Sequence, residues 1–271
     1  MKKDYIATNL YDENKGETSF VESYWTKVWE QRKLSANIDK EVEDNEVYPI
    51  INKYIAGLPN KSRLLDGGCG MGEWVDYYTR RGKEVIGLDL SKDTVIRLKK
   101  HYNNCQFQHG DIRNTGFSDN SFDAMFSWGT FEHFEVGLGE CFQEAARILK
   151  PGGLLFVSVP YQNLRHIIRD RKVKNKDWNE VIDTNDPTKT ITFYQWRLTE
   201  TELAAEFLIN GFNVKEILPI AKRTGVKRLL QHSFLKITPE HRLFKLLFKS
   251  VLPIIPAHYV SHMIVGVGVK Q

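Results

Sequence analysis

Three observations predict an α/β fold with a doubly wound, mostly parallel sheet. Short apolar runs of strand length alternate with helix-like runs over residues 60–160, a pattern typical of parallel strands covered by helices on both faces. A glycine-rich turn joins the first strand-like run to the helix-like run that follows it. Acidic residues end later strand-like runs, and ligands bind such sheets at the carboxyl ends of the strands. The sequence therefore predicts a ligand site along that edge.

Apolar periodicity and turn residues define the individual elements. Strands are expected at about 62–66, 84–89, 105–109, 122–128 and 153–159, and helices at about 73–81, 91–101 and 137–149. Thr199 and Glu202 have the spacing of a capping box, which predicts a helix that ends near Ile209. Residues 212–220 and 263–269 then predict a sixth and a seventh strand.

Residues 1–60 are predicted to form an N-terminal helical cap, because they lie outside the strand pattern. One helix face, with residues at three- and four-residue spacing, would carry Phe20, Tyr24, Trp25, Val28 and Trp29. This face is expected either to dock on the core or to act as a lid that closes over ligand and substrate. A second helix is expected over residues 45–55. The main domain would span 61–271, with substrate-side elaborations at 161–196 and 222–260.

The glycine-rich turn reads Asp66-Gly67-Gly68-Cys69-Gly70-Met71-Gly72. A dinucleotide-binding turn would need a third glycine where this chain has Glu73. The carboxylates of Asp66 and Glu73 would repel a pyrophosphate seated at the start of the next helix. A cofactor with a cationic amino-acid part and no phosphate fits them better, and S-adenosylmethionine is such a cofactor.

Residues 60–160 resemble the class I S-adenosylmethionine-dependent methyltransferases. Besides the glycine loop, the matching segments are 84–89, which ends in an acid, Gly110-Asp111-Ile112, the run 122–133, and the turn and strand at 149–157. The resemblance implies a Rossmann-like sheet of seven strands with an antiparallel last strand. It also implies S-adenosylmethionine as the cofactor.

The resemblance implies a role for each cofactor-side residue. Asp66 would face the ammonium of the methionine part, Asp89 would accept the ribose hydroxyls, and Asp111 would accept from the adenine amino group. An acid that only caps a turn is the alternative for Asp89 and Asp111. The full set of expected cofactor-binding residues is Asp66, Gly67, Gly68, Gly70, Asp89, Leu90, Asp111, Ile112 and Ser127.

Methyl transfer from a sulfonium expels a neutral leaving group, so the protein must mainly align the reactants. A base is needed only where the acceptor holds its proton. His133 is the candidate base, because imidazole titrates near neutral pH; a role in holding a loop or flanking the cofactor is the alternative. Candidate substrate-binding residues are Trp25, Tyr161, His166, Tyr194 and Arg197. No metal is expected.

The charge of the chain is mildly basic, with a formal net charge of +4. Basic residues cluster at 165–176 and 222–249, and the clusters are interpreted either as a solvated surface or as a site for an anionic substrate or an anionic membrane. Residues 242–252 form a basic amphipathic pattern that would pack on the core or lie in a membrane interface. No apolar run reaches the length of a membrane span. Three cysteines without metal-ligand spacing and the lack of an apolar leader favour a cytoplasmic location, with a peripheral position on the inner membrane face as the alternative.

The functional prediction is methyl transfer to a small-molecule, sugar or lipid-linked acceptor, with oxygen as the favoured nucleophile. The tetrad Ser127-Trp128-Gly129-Thr130 departs from the one that base-methylating members of the family carry, so DNA is not expected as a partner. A protein or RNA methyltransferase and a catalytically silent cofactor-binding module are the alternatives. The sequence makes no prediction of oligomeric state.

Overall fold

Ten strands build two sheets in the computed structural model, which describes residues 1–172, 180–182, 189–231 and 241–271. The strands are β1 (Lys2–Thr8), β2 (Arg63–Gly67), β3 (Glu84–Asp89), β4 (Gln106–His109), β5 (Phe122–Trp128), β6 (Leu149–Pro160), β7 (Glu180–Ile182), β8 (Thr190–Arg197), β9 (Phe212–Ile220) and β10 (Met263–Lys270). The large sheet has the order β4-β3-β2-β5-β6-β10-β9. Its first five strands run parallel, whereas β10 is antiparallel to both of its neighbours. The predicted Rossmann-like sheet with an antiparallel last strand is confirmed.

Helices cover both faces of the large sheet. They are α1 (Gly16–Glu30), α2 (Ile38–Glu43), α3 (Tyr48–Ile55), α4 (Glu73–Thr79), α5 (Lys92–His101), α6 (Gly139–Ile148), α7 (Leu164–Lys172), α8 (Glu200–Ile209), α9 (Lys222–Gln231), α10 (Arg242–Ile254) and α11 (Ala257–Val260). The capping box predicted at the start of α8 is present, with Thr199 accepting from the Glu202 N–H and Glu202 accepting in return. The helix expected over 45–55 is α3, which begins at Tyr48, and α2 is an additional helix that precedes this range.

Alternation along the strands divides the core into two layers, because successive side chains of a strand point to opposite faces. Leu65 and Met125 belong to one layer, which α6 and α8 cover. Leu64 and Phe126 belong to the other, which α2, α3, α4 and α5 cover. All four side chains are fully buried, as expected for parallel strands with both faces covered.

A second, three-stranded sheet has the order β7-β1-β8. The prediction that residues 1–60 contain no strand is therefore wrong for Lys2–Thr8, which pairs antiparallel with β8. The strand was missed because its buried positions include the charged Asp4, so no apolar alternation marks it. Asp4 is almost fully buried, and its Oδ1 accepts from Nε of Arg197 at 3.0 Å.

The expected elaborations are partly described. The segment 161–196 contains α7, β7 and most of β8, and the segment 222–260 contains α9, α10 and α11. Residues 173–179, 183–188 and 232–240, which carry part of the predicted basic clusters, lie outside the described residues. Among the described helices, none has the length and apolar character needed to cross a membrane.

Candidate cofactor site

The glycine loop leaves β2 and is fastened to the end of β3. The N–H groups of Gly68 and Cys69 both donate to the Leu88 carbonyl, at 2.8 and 2.9 Å. Gly68 and Gly70 have φ values of +78° and +52°, which glycine adopts without the penalty that a Cβ brings. A Cβ on Gly68 would overlap Thr130, and one on Gly70 would come within 2.9 Å of the Trp29 ring. The loop therefore forms a tight backbone cradle.

Three carboxylates lie beside this cradle: Asp66, Glu73 and Asp89. Oδ2 of Asp66 is buried and has no hydrogen-bond partner. Burial, reinforced by the charges of Glu73 and Asp89, raises the pKa of Asp66 well above its usual range. A buried carboxylate without a partner is destabilising until a donor or a cation reaches it. The arrangement favours a cation and disfavours a pyrophosphate.

Asp89 is held by backbone donors at the end of β3. Its Oδ2 accepts from the Gly70 N–H and its Oδ1 from the Ser91 N–H, both at 2.9 Å. Burial raises the pKa of Asp89 to about 6, although these two N–H donors oppose the shift. The carboxylate thus ties the glycine loop to the start of α5 and keeps a fixed orientation.

A cavity of about 90 Å³ lies at the carboxyl ends of β3 and β5, next to the point where strand order reverses between β2 and β5. This is where ligands bind in open α/β sheets. Its lining residues are Val21, Trp25, Trp29, Gly68, Leu88, Asp89, Leu90, Gly110, Asp111, Ile112, Trp128, Gly129, Thr130 and Phe134. The predicted residues Gly68, Asp89, Leu90, Asp111 and Ile112 are therefore brought together.

Arg113 connects the cavity to helix α1. Its Nη2 donates to Oδ2 of Asp111 at 2.6 Å and to Oγ1 of Thr18 at 2.8 Å. Its Nη1 lies 3.5 Å from Oε2 of Glu17, and its guanidinium lies 4.0 Å from the centre of the Phe134 ring. A single side chain therefore orients Asp111 and fastens α1 over the cavity.

The comparisons with known proteins agree with this geometry. Residues 65–157, which contain the glycine loop, Asp89 and Asp111, match the family described as "Methyltransferase domain". This chain carries a class I, S-adenosylmethionine-dependent methyltransferase domain.

Relatives of this methyltransferase domain share about a third of its residues. A protein of Mycolicibacterium smegmatis described as a probable S-adenosylmethionine-dependent methyltransferase is 32% identical over 169 residues, which cover 61% of this chain and 58% of that protein. A ubiquinone biosynthesis O-methyltransferase of Nitrobacter winogradskyi is 35% identical over 177 residues, 60% of this chain and 59% of that protein. The chain thus spans little more than half the length of these relatives.

The solved structures show the likeness of fold. The PH0226 protein from Pyrococcus horikoshii superposes with a TM-score of 0.55 and 19% sequence identity, over 88% of this chain and 92% of that chain. The likeness of fold therefore extends over most of the sequence, well beyond residues 65–157.

Ser127 and Gly67, two of the predicted cofactor residues, are bonded to each other where the glycine loop begins. Ser127 is fully buried and its Oγ donates to the Gly67 carbonyl at 2.7 Å, so it fixes the end of β2 where the loop begins. Of the nine predicted cofactor-binding residues, four do not line the cavity: Asp66, Gly67, Gly70 and Ser127.

His133 lies in an aromatic cluster with Trp25 and Tyr194. Its ring centre is 5.1 Å from that of Trp25 and 5.2 Å from that of Tyr194. Nδ1 lies 2.7 Å from the Tyr194 carbonyl, which fixes Nδ1 as the N–H donor and leaves the lone pair on Nε2. Burial lowers the pKa of His133 to about 4, so the imidazole is neutral at physiological pH.

Glu132 is the unexpected neighbour of this histidine. Its Oε1 is 4.0 Å from Nε2 of His133 and 3.4 Å from where a Cβ on Gly129 would stand. Oε2 is buried without a partner, and burial raises the pKa of Glu132 to about 8. The pair therefore combines a neutral imidazole with a carboxyl group that holds its proton near neutral pH.

The other candidate substrate residues do not join this cluster. The hydroxyl of Tyr161 donates to Oε1 of Glu200 at 2.8 Å, and Nδ1 of His166 lies 3.3 Å from the Tyr161 carbonyl. Arg197 is 3% exposed and pairs with Asp4 in the small sheet. None of the three lines the cavity.

Sequence reasoning missed Arg113 as a site residue, and it placed Thr130 and Glu132 in the run 127–133 beside the crevice without giving either a role. Glu132 directly precedes the candidate base, which was the available signal. Arg113 acts through α1, and its position over Asp111 depends on a helix about 95 residues earlier in the chain. No local sequence pattern predicts such a contact.

Proposed function

We propose that the protein transfers the methyl group of S-adenosylmethionine to an oxygen of a small-molecule, sugar or lipid-linked acceptor. The observation that carries the proposal is the buried, unpartnered Oδ2 of Asp66 beside the glycine cradle. This oxygen lacks a hydrogen-bond donor. The ammonium of a methionine moiety is a small cationic donor that would supply one. When bound, S-adenosylmethionine supplies an electrophilic methyl group on a positively charged sulfur.

The described residues fit the remaining parts of this cofactor. Asp89 presents an oriented carboxylate, and a carboxylate has two oxygens for the two hydroxyls of a ribose. Asp111 and Ile112 line the opposite end of the cavity, where an adenine would meet one carboxylate acceptor and one backbone N–H. The cradle at Gly68 and Gly70 would hold the methionine part, because neither residue has a Cβ to separate the backbone from a ligand.

Alignment and exclusion of water are the main contributions of the chain to this reaction. Proximity and orientation supply much of the acceleration when two reactants are held in line. The rings of Trp25 and Trp29 stack with centres 5.2 Å apart and both line the cavity. In the proposed enzyme these rings exclude water from the methyl group and the acceptor.

An acceptor oxygen that carries a proton needs a base, and His133 is the proposed base. The Tyr194 carbonyl accepts from Nδ1, which leaves the lone pair on Nε2, 4.0 Å from Oε1 of Glu132. A neutral imidazole in this position takes the hydroxyl proton as the oxygen–carbon bond forms. The Nitrobacter relative, named an O-methyltransferase, supports oxygen as the acceptor atom.

Calorimetric titration with S-adenosylmethionine tests the cofactor half of the proposal. We expect binding by the unmodified protein and a loss of at least roughly tenfold in affinity for Asp89→Ala, since a charged acceptor group is removed. Asp93→Ala is the matched control, because Asp93 is an exposed acid in the first turn of α5. Equal affinities for both variants and the unmodified protein would contradict the proposal.

Transfer of a labelled methyl group into fractions of a cell extract tests the acceptor half. Label in a low-molecular-weight or lipid fraction is the expected result. Label in protein or RNA would show that the acceptor belongs to another class, while the proposed methyl-transfer reaction would still stand. Cofactor binding without label in any fraction would indicate a catalytically silent module.

A further inference from the structure

Helix α10 has three distinct faces, and only one of them is packed against other residues that the structure describes. Phe244 is buried, and its ring stacks with that of Phe248 on the same side of the helix. A second apolar face is exposed. Its members Leu243, Leu246 and Ile254 are 46%, 60% and 78% exposed. The third face carries Arg242, Lys245 and Lys249, all exposed.

The packing of α10 on its own domain does not explain the exposed apolar stripe. At 100° per residue, positions 243, 246, 250 and 254 lie within one narrow sector, and the basic residues occupy the sector beside it. A helix that only docks on its own domain needs one apolar face, and Phe244 and Phe248 already supply it. A second apolar stripe bordered by lysines is typical of a helix that lies in a membrane interface.

Helix α9 extends the positive charge next to α10. Arg223 lies over the Phe248 ring at 5.5 Å from its centre, so the two helices are packed together. Arg223, Lys227 and Arg228 are exposed. Glu240 is the only acidic residue in the sequence after Glu216. Six basic side chains on α9 and α10 are therefore exposed, and neither helix carries an acid.

The basic surface is close to the candidate site. Nη1 of Arg228 lies 3.2 Å from Nδ1 of His262. The next residue, Met263, places its Cε 3.8 Å from where a Cβ on Gly129 would stand, and Gly129 lines the cavity. Gly225 fixes this part of the fold, because any Cβ there would overlap the Val260 carbonyl of α11.

We propose that α9 and α10 dock the protein on an anionic lipid bilayer, with Leu243, Leu246 and Ile254 entering the interface. Lysine and arginine near the surface attract anionic lipid headgroups, and buried apolar side chains add the hydrophobic part of the binding. The exposed side chains between the basic residues of α10 are aliphatic, whereas nucleic-acid surfaces use aromatic side chains on which bases stack. The docking goes beyond the proposed methyl transfer and would hold for the protein without cofactor or acceptor.

Co-sedimentation with vesicles tests the docking. The probes are vesicles of phosphatidylcholine alone and vesicles with 30% phosphatidylglycerol, at low and at physiological salt. We expect sedimentation only with the anionic vesicles, and weaker binding as salt screens the charges. Lys245→Glu with Lys249→Glu should weaken partition by roughly tenfold or more.

Two matched controls separate docking from general effects of charge and polarity. Lys99→Glu with Lys100→Glu makes the same change of charge on α5, which packs at the β4 end of the sheet and not at the β9 end. Leu246→Ser should weaken partition several-fold, whereas Leu208→Ser, at a site on α8 with 58% exposure, should not. Ile254→Ser is a second test of the apolar stripe. Thermal unfolding of each variant checks that it is folded.

The outcomes distinguish the docking from the reaction. No sedimentation of the unmodified protein with anionic vesicles at low salt would overturn the proposal. Equal losses for the α5 and α10 charge variants would overturn it too, as would binding to RNA that Leu246→Ser leaves unchanged. Titration of each variant with S-adenosylmethionine is read separately, so failed docking with intact cofactor binding leaves the proposed function standing.

Discussion

Trp29 of α1 lies against Gly70 of the glycine loop, so closely that a Cβ on Gly70 would come within 2.9 Å of the indole. The cavity between helix and loop holds about 90 Å³, whereas sites for ligands of this size enclose roughly 300–1,000 Å³. We therefore predict that α1 moves outward when the cofactor enters. Addition of S-adenosylmethionine should change tryptophan fluorescence, and Trp29→Phe should reduce the change. An unaltered spectrum at saturating cofactor would contradict the motion.

Asp66 predicts a proton linkage in cofactor binding. Its pKa is raised by burial and by two neighbouring carboxylates, and a cation stabilises only the ionised form. Binding should therefore release a proton, and affinity should increase with pH until the raised pKa of Asp66 is passed. Calorimetry in two buffers of different ionisation enthalpy measures the release. Asp66→Asn should bind more weakly and release fewer protons, and an equal release by both proteins would exclude Asp66 as the source.

The raised pKa of Glu132 predicts that the folded protein loses stability as the pH rises. Its pKa is about 8 in the folded protein and near 4.5 in an unfolded chain, so the folded state holds more protons between these values. Folding is then favoured by a protonated Glu132, and this contribution declines as pH rises from about 4.5 to 8. The melting temperature should fall over this range, and Glu132→Gln should make the fall shallower. An unchanged slope in the variant would assign the effect to other groups.

The lowered pKa of His133 predicts that the rate of methyl transfer is independent of pH in the neutral range. A base with a pKa of about 4 is deprotonated throughout the neutral range, so kcat should be constant from about pH 5 up to the ionisation of Glu132 near pH 8 and decline below pH 5. His133→Ala should lower kcat by roughly a hundredfold or more, the usual contribution of a general base. The affinity for S-adenosylmethionine should stay within about twofold. Unchanged turnover in the variant would leave His133 with a purely structural role.

The contacts of Arg113 predict that Asp111 in the cavity wall is coupled to helix α1. Arg113→Ala leaves Asp111 without its bidentate partner and α1 without its bonds to Thr18 and Glu17. The free energy of unfolding should fall by about 1–3 kcal/mol, the usual loss when a partly buried charged group loses its partner. Amide hydrogen exchange should quicken in α1 but not in α8. Arg113→Lys should restore only part of the protection, because lysine lacks the planar fork.

The cofactor side of the site could be predicted from the sequence because its signals are local. Each motif directly follows a buried strand, and the two acids Asp89 and Asp111 are brought to one edge by parallel pairing alone. The capping box of α8 is likewise a pattern of four consecutive residues. Short-range chemistry of this kind does not depend on the rest of the fold.

The acceptor side could not be predicted in the same way. Arg197 has the chemistry of an anion clamp, yet it is used to pair with Asp4 on a strand that has no apolar alternation. The approach of Trp25 to His133 likewise depends on how α1 is placed over the sheet. These contacts join residues about 100 to 190 positions apart, and single-sequence periodicity carries no information on them.

The pairing of β1 with β8 also fixes an order of events during synthesis. Asp4 and Arg197 are 193 residues apart, so the strand that precedes α1 cannot find its partner until most of the chain has been made. Long-range pairings of this kind form late, because loop closure must precede the contact. The sheet around the glycine loop can close first, while β1 is still without its partner strand. During translation, β1 therefore presents an unpaired strand edge with which another chain could pair.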